Sequence, residues 1–494
     1  MSNQEKYRTI VKSSAIFGGT QVFNILINLV RGKLIALFLG PAGMGISALF
    51  TTTSNMINQF TNLGVNMTAV KDISKESANN DRQQLLQLIY NFRILLLILG
   101  LFGALISFLF AGTLSYQAFG NSSYQVHFKF LAIFMFLTTL SSGELAILQG
   151  RRKLKQLAIG NVSSSILALS TGIPLYYHLG VDGIVPAMIV LALFNFVVYL
   201  YFNRDTFNFQ LIKFQSNLFF QASKKMIYLG VVLMVATLLG TLSTYLLNLY
   251  ISNRGSIEDL GFFQAANSIT NQYVSLVFAA MAIDYFPRLS AIVDSKIELN
   301  KLVNEQFEIV LLIVAPIVSI IFVIAPWIVH LLLTKDFLVI VPLLSIMSFG
   351  VFFKAASYPL GYISFAKGDR KIYFWLEGIF GNAMMLILNI TSYHFFGLLG
   401  LSISFLSFFV LYLFVVYAVV YKRYSFVFSR NSLILLSVLV VLLFSNLVIV
   451  RYIDSLIIKY TLSTILTILV SAYSIKELNN RIGIVDLIQK KFKS

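Results

Sequence analysis

The chain has 494 residues, of which 58% are hydrophobic and 12% charged, with a formal net charge of +17 and a mean hydropathy of +0.82. No water-soluble globule hides so much apolar surface, so these figures describe a polytopic helical membrane protein. Cysteine is absent, which excludes disulfides, thiol catalysis and cysteine-ligated metals.

Apolar segments long enough to cross about 30 Å of hydrocarbon run from Thr9 to Phe38, Ala42 to Val70, Leu85 to Phe110, Phe128 to Leu148, Leu157 to Tyr177 and Ile184 to Tyr201. A basic linker through Phe220 follows. A second set covers Met226 to Ile251, Gly261 to Tyr285, Leu302 to His330, Leu338 to Phe365, Tyr373 to Tyr393 and Ser402 to Val420, and two more spans run from Ser432 to Val450 and Leu456 to Tyr473. The predicted fold is therefore all-α with about fourteen transmembrane helices. It divides into a bundle over 1–203, a linker over 204–225, a second bundle over 226–422, two extra spans over 423–475 and a basic tail over 476–494. No cleavable signal peptide is expected, because the first apolar segment is long and lacks a small-residue cleavage site.

The connectors alternate in charge. One set carries clusters such as Lys71, Lys75 and Arg82, then Arg151, Arg152, Lys153 and Lys155, then Lys367, Arg370 and Lys371. The intervening set holds only Lys129, Arg254, Lys335, Arg451 and Lys459. The positive-inside rule then places both termini in the cytoplasm. It also explains the net charge without nucleic acid: the lysines and arginines fix topology and meet anionic lipid.

The two sets of six look like copies. At a spacing of about 216 residues Gly45 falls on Gly261, Asn55 on Asn271, Ile73-Ser74 on Leu289-Ser290 and Tyr177-His178 on Tyr393-His394. With small slips Gly150-x-Arg152-Lys153 falls on Gly368-x-Arg370-Lys371. An even number of spans per copy predicts two parallel six-helix repeats about an axis along the membrane normal, enclosing a cavity that rocking exposes to either side.

Amides line single helix faces. In the first span Gln21, Asn24, Asn28 and Arg31 fall on one face. The second span offers Asn55, Asn58 or Gln59, Asn62 and Asn66, and its repeat mate Gln264, Asn267 and Asn271. Amides are costly facing lipid, so these faces point at protein or water. They are either interhelical bonds worth about 0.6 kcal/mol each or a hydrated wall that meets sugar hydroxyls.

Charges inside the spans are few: Arg31, Lys33, Arg93, Glu144, Asp284, Glu308, Lys354 and Glu377. Each costs about 3 kcal/mol on insertion scales and needs a compensating use. Lys354, near mid-span, reads as a cavity cation for an anionic substrate or as half of a structural pair. Arg93 and Glu308 are repeat mates of opposite sign, which suits an inner gate latch; a static pair of Arg93 with Glu144 is the alternative. Glu377 suits a proton or cation site. Lys33 faces away from Asn24 and is expected to snorkel. His127, His178, His330 and His394 fall near separate span ends, so no metal site is expected, and no cofactor is called for.

The run Arg31-Gly-Lys-Leu-Ile-Ala-Leu-Phe-Leu-Gly-Pro-Ala-Gly-Met-Gly45 resembles the first hairpin of Wzx-type O-antigen and enterobacterial-common-antigen translocases. These belong to the multidrug/oligosaccharidyl-lipid/polysaccharide exporter superfamily. Pro287-Arg-Leu-Ser290 and the stretch from Lys354 to Gly368, with Arg370 and Glu377, resemble the same family. The resemblance covers about residues 10 to 420 and implies a MATE-like fold. It further implies a flippase of the bacterial inner membrane that moves undecaprenyl-pyrophosphate-linked oligosaccharide, an O-antigen or related repeat unit, to the periplasmic leaflet by alternating access. Membrane lipids, a polysaccharide polymerase and chain-length machinery are the partners such a role implies. The family usually has twelve helices, so the last two are an addition shared with lipid II flippases, and an arginine at Arg93 is not a family feature.

On this reading Arg31 and Lys354 hold the pyrophosphate, with Arg93 on the way in. Gln21, Asn24, Asn28, Asn55, Asn62, Asn267 and Asn271 contact sugars, and Glu144, Glu308 and Glu377 serve gating or ion coupling. The rivals are a cation-coupled multidrug exporter of the same fold, a lipid II flippase and a membrane enzyme. The last would need catalytic acids in a substantial outer loop, and Ala111 to His127 has none. No Walker-type loop is present to support direct ATP drive.

Overall fold

The computed structural model describes residues 3–79, 81–207 and 216–483. The elements are helical: α1 (Asn3–Thr61), α2 (Val65–Ala78), α3 (Arg82–Leu109), α4 (Ala111–Phe119), α5 (Gln125–Gly150), α6 (Leu154–Leu179), α7 (Ile184–Phe202), α8 (Ser216–Arg254), α9 (Ile257–Ala291), α10 (Lys296–Leu332), α11 (Val341–Ala366), α12 (Arg370–Tyr373), α13 (Gly381–Tyr424), α14 (Arg430–Tyr452) and α15 (Leu456–Ile482). A π-helical stretch, Phe374–Phe380, joins α12 to α13.

Among the described residues nine helices are long and apolar enough to cross a membrane, and a tenth forms if Phe219–Val235 and Thr237–Arg254 count as one span. Three of the nine, Phe23–Thr61, Leu154–Phe202 and Arg370–Tyr424, run 39, 49 and 55 residues, and each covers two of the apolar segments read from the sequence. These long helices break at glycines with positive φ. α1 bends at Gly40 (φ 63°) before Pro41, α6 ends at Gly180 (φ 58°), and α13 is interrupted at Gly397 (φ 57°). Side chains rarely adopt that conformation, so glycine sets each corner. The helices are consistent with fourteen segments.

The duplication is visible in the packing. Gly397 lies 217 residues after Gly180. Three residues past each corner, a methyl group at Gly183 would sit 2.3 Å from the Leu175 carbonyl oxygen, and one at Gly400 1.9 Å from that of Ser392. Gly45 and Gly261 are mates that make reciprocal contacts: a methyl at Gly45 would lie 2.0 Å from the Ile257 carbonyl oxygen, and one at Gly261 1.9 Å from that of Pro41.

A third correspondence is charge-swapped. In the first copy Arg151 donates to Asp205 with an NH1–Oδ1 distance of 3.0 Å, and Lys153 adds a contact at 3.1 Å. In the second, 218 residues on, Asp369 accepts from Arg423 Nε at 2.6 Å and from the Tyr424 hydroxyl at 3.1 Å. The acid and the base have exchanged places. The Arg151 hydrogen bond holds the Asp205 carboxyl well below the ordinary range, and Arg423 does the same to Asp369.

The chain forms two compact units, Met1–Gly261 and Phe262–Ser494. The first therefore extends past the linker predicted at 204–225, of which residues 208–215 lie outside the described residues, as does the end of the basic tail from 484. The reason is that α8 packs with the N-terminal set: Gly64 meets the Gly230 main chain, Asn248 donates to Thr52 Oγ1 at 3.4 Å and Asn253 to the Gln117 carbonyl at 2.9 Å. The core of this unit gathers Val65, Ile73, Phe92, Leu96 and Ile147 with Phe219 and Met226 from α8. Outward faces such as Leu101, Phe102, Leu105 and Leu109 of α3 are apolar and exposed, as lipid requires.

Two outcomes follow. Gly45→Val and Gly261→Val each drive a side chain into a main-chain oxygen, so each should lower stability by about 1–3 kcal/mol or more, read as a lower thermal midpoint in detergent. Because the folded Asp205 carboxyl titrates below its unfolded value, its contribution is complete above about pH 4 and fades as the pH falls further. Asp205→Asn should lower the midpoint at pH 7, and the gap to wild type should narrow as the pH drops towards 3.

Candidate functional site

An aromatic-lined cavity of about 430 Å³ in the second unit is built on one face of α11. Lys354, Ser357, Tyr358, Gly361, Tyr362 and Phe365 recur at three- and four-residue intervals, which stacks them on one side of a helix. Opposite stand Tyr373, Glu377, Asn382, Met385, Phe408, Phe409 and Tyr412.

Lys354 is half-buried and donates from Nζ to Asn271 Oδ1 at 3.1 Å. Asn271 in turn donates to the Asn267 carbonyl at 2.9 Å and to Asn267 Oδ1 at 2.7 Å, which orients its oxygen towards the lysine. The ammonium lies 5.6 Å from the centre of the Phe278 ring and 5.5 Å from that of Phe409, within cation–π range. Among the described residues Lys354 has no carboxylate partner.

Glu377 lines the same cavity and accepts a hydrogen bond from the Tyr412 hydroxyl. It sits in the π-helical stretch, whose wider turn is stabilised by Asn382 Nδ2 donating to the Glu377 carbonyl at 2.9 Å and the Gly378 carbonyl at 2.7 Å. Such turns recur at functional sites. Gly361 makes room for the carboxylate, since a methyl there would stand 3.3 Å from Glu377 Oε1. Tyr358 stacks on Phe278 with centroids 4.3 Å apart, and its hydroxyl meets that of Tyr362 at 3.3 Å. The cavity thus offers a cation, an acid and stacked rings, a set suited to an anionic group joined to sugars or another ring-stacking body.

Several expected site residues are engaged elsewhere. Arg93, expected on the path of the pyrophosphate, is engaged with a carboxylate. Its guanidinium grips Glu144 bidentately at 2.6 and 2.9 Å and lies 3.9 Å from the Phe207 ring centre, while Asn203 Nδ2 donates to Glu144 Oε2 at 2.8 Å. The pair is the static one within the first unit, in place of the latch expected between Arg93 and Glu308, and it engages both Glu144 oxygens. Glu308 is likewise occupied: Oε2 accepts from Arg481 Nε at 2.7 Å and Oε1 from Ser432 Oγ at 2.6 Å. Arg481, on the last helix, is a partner that the pattern of repeats could not suggest, because it lies outside them.

Arg31 lines a separate cavity of about 100 Å³ between α1, α6 and α7, together with Asn28, Ser165 and Tyr176. That space is large enough for a few waters, and its lining does not include Lys354. Among the amides, Asn267 and Asn271 serve the lysine. Asn58 accepts from Thr139 at 3.5 Å, Gln59 donates to Thr237, and Asn66 donates to Ser142 at 3.0 Å, all as interhelical bonds. Asn62 Oδ1 is buried with no hydrogen-bond partner among the described residues. Asn24 is half-buried, Asn28 and Asn55 are exposed, and the Gln21 side chain lies outside the described residues. Asp284 pairs with Arg288 one turn on, and His127 with Asp182 at 3.1 Å.

The profile of the polysaccharide biosynthesis protein family matches residues 34–342, more than half of the chain. The chain belongs to this family. The Lipid III flippase of Escherichia coli (strain K12) is 22% identical over 381 residues, covering 75% of this chain and 88% of that protein, and the Lipid III flippase of Shigella flexneri matches equally. The fold is shared with solved structures. A structure of the lipid II flippase MurJ in an inward closed conformation aligns with a TM-score of 0.68 at 14% identity, covering 97% of this chain and 100% of that one. An inward-facing multidrug resistance MATE transporter aligns with a TM-score of 0.69 at 17% identity, covering 81% and 94%. This family member is thus a MATE-like, all-helical, multi-pass membrane protein.

Arg93→Ala should strand a buried carboxylate and destabilise the fold by about 3–5 kcal/mol, whereas Arg93→Met with Glu144→Gln should recover most of that loss. Thermal unfolding of the single and double variants is the measurement. A site that used Arg93 to hold cargo would lose transport in both.

Proposed function

We propose that the protein is a flippase for an oligosaccharide linked to a polyprenyl pyrophosphate, carrying it from the cytoplasmic to the outer leaflet of a bacterial inner membrane by alternating access. The observation that carries this reading is Lys354, an intramembrane cation on a cavity wall with an amide and two rings around it and no acid paired to it among the described residues. Lysine serves a phosphate as a point charge, and the acid that shares the cavity, Glu377, is held by Tyr412 rather than by the lysine. Both the flippase relatives and the flippase fold neighbour agree with a lipid-linked cargo. An inside-negative potential assists, since each negative charge moved outward gains about 2.3 kcal/mol per 100 mV.

In this mechanism the pyrophosphate meets Lys354, the sugars lie along the tyrosines of the same cavity, and the polyprenyl tail stays in lipid. Glu377, held by Tyr412 and facing the same cavity, takes a proton or sodium ion to reset the empty carrier. An O-antigen or related repeat unit is the cargo class, and a polymerase and chain-length machinery consume it at the outer face. One observation favours a second reading, a cation-coupled multidrug exporter: Glu377 and the aromatic rings share the cavity and would suit a lipophilic cation.

Lys354→Ala should reduce surface glycan in cells by about ten- to a hundred-fold, the size of one lost charge-assisted contact, at unchanged protein level, and Lys354→Arg should retain part of it. Full glycan display by Lys354→Ala would overturn the assignment. Lys354-independent efflux of a lipophilic cation that Glu377→Gln abolishes would establish the exporter instead.

A further inference from the structure

Between α13 and α14 the chain runs without helix from Ser425 to Ser429, laid along the first turns of α10. Two asparagines of α10 fasten it. Asn300 Oδ1 accepts from the Val427 amide at 2.7 Å, and Asn300 Nδ2 donates to the Lys296 carbonyl at 2.8 Å and the Ser425 carbonyl at 3.5 Å. Asn304 Oδ1 accepts from the Ser429 amide at 2.8 Å, and its Nδ2 donates to the Val427 carbonyl at 3.0 Å. Ser425 itself turns the chain with φ 55°. The strap is held by four of these hydrogen bonds and walls a cavity of about 850 Å³, lined by Lys296, Ile297, Asn300, Tyr421, Lys422 and Val427.

The lining combines two chemistries. Lys296 and Lys422 bring two cations, and among the described residues neither is in an ion pair; two acids of the same unit, Asp369 and Glu308, are taken by Arg423 and Arg481. Lys296 also opens α10, an end where the helix dipole favours an anion; Ser295 caps the Glu298 amide there, and Glu298 is the one acid of that turn. Beside the lysines, Ile297 is 82% exposed and Val427 51%. A soluble anion has no use for these apolar side chains, while an amphiphile with an anionic head uses both. The position fits as well, because Lys296 begins one membrane-crossing helix and Lys422 stands in the last turn of another.

We propose that this cavity seats the phosphate headgroup of an anionic glycerophospholipid, with Lys296 and Lys422 on the phosphate and Ile297 and Val427 against the upper acyl chain. By the positive-inside rule the lipid belongs to the cytoplasmic leaflet. The proposal concerns a site apart from the Lys354 cavity and does not rest on the identity of the cargo.

Native mass spectrometry and thermal unfolding of the full chain in detergent, titrated with phosphatidylglycerol, phosphatidylcholine or inorganic phosphate, test it. Phosphatidylglycerol should bind and raise the thermal midpoint, and the other two should not. Lys296→Gln or Lys422→Gln should each weaken phosphatidylglycerol binding about five-fold and the double variant about thirty-fold, as expected for two basic residues near a lipid surface. Lys371→Gln, an exposed lysine outside the cavity, should leave it unchanged, and the Lys296→Arg, Lys422→Arg double variant should keep it. Wild-type affinity in the glutamine double variant would overturn the site. Equal protection by inorganic phosphate would overturn the lipid and leave a site for a soluble anion.

Discussion

A charge inside hydrocarbon has to be met by another group of the protein or by whatever the protein carries, and this constraint orders the whole structure. Arg93 and Glu144 meet each other, with Asn203 and Phe207 completing the shell. Glu308 meets Arg481 and Ser432. Lys354 is treated differently: one amide oxygen and two ring faces stabilise its charge without cancelling it. Two pairs of charges are thus neutralised within the protein, while Lys354 lines a cavity with no acid paired to it among the described residues, the contrast on which the proposed cargo rests.

The same constraint explains the last two helices. α10 carries Glu308 on a face that needs a cation, and the cation comes from α15, whose Arg481 also binds Glu477. Deeper along the hairpin Asn446 donates to Ser319 at 2.8 Å and to Thr467 at 3.2 Å and accepts from Ser463, so α10, α14 and α15 share a buried polar knot. Hydrogen bonds of this kind are modest singly. Together with a charge pair they make the hairpin part of the second unit rather than an appendage, while its outward residues, among them Ile457 and Ile468, face lipid.

Much of this was legible in the sequence. The apolar segments are helices, and the glycine mates 45 and 261 proved to be contact points whose carbonyl partners are themselves mates. Lys354 could be singled out because depth in a span is read directly from position. What the sequence withheld was pairing. Arg93 had two candidate acids at similar depth, and only the fold brings Glu144 to it. Arg481 lay in a tail outside the repeat, and the amide stripe of α9 could not announce that its purpose was to orient one oxygen towards a lysine. The Gly180 and Gly397 corners were discernible as glycines two hundred residues apart, yet nothing in their neighbours' chemistry marked them. Their signal is a shared backbone conformation.

The arrangement of Lys354 and Glu377 has its own logic. The two line one cavity without forming an ion pair, because Asn271 draws the ammonium to one wall and Tyr412 draws the carboxylate to another, with the π-helical turn and Gly361 setting the acid's place. A closed pair would present a neutral cavity and would have to break before any ligand bound. Held apart, each charge keeps its field and remains available to an occupant, the lysine to an anion and the glutamate to a proton or a cation. A carrier on the proposed cycle needs these in different steps, so a cavity in which opposite charges are fixed by neutral hydrogen-bond partners lets one site serve both the loaded and the returning protein.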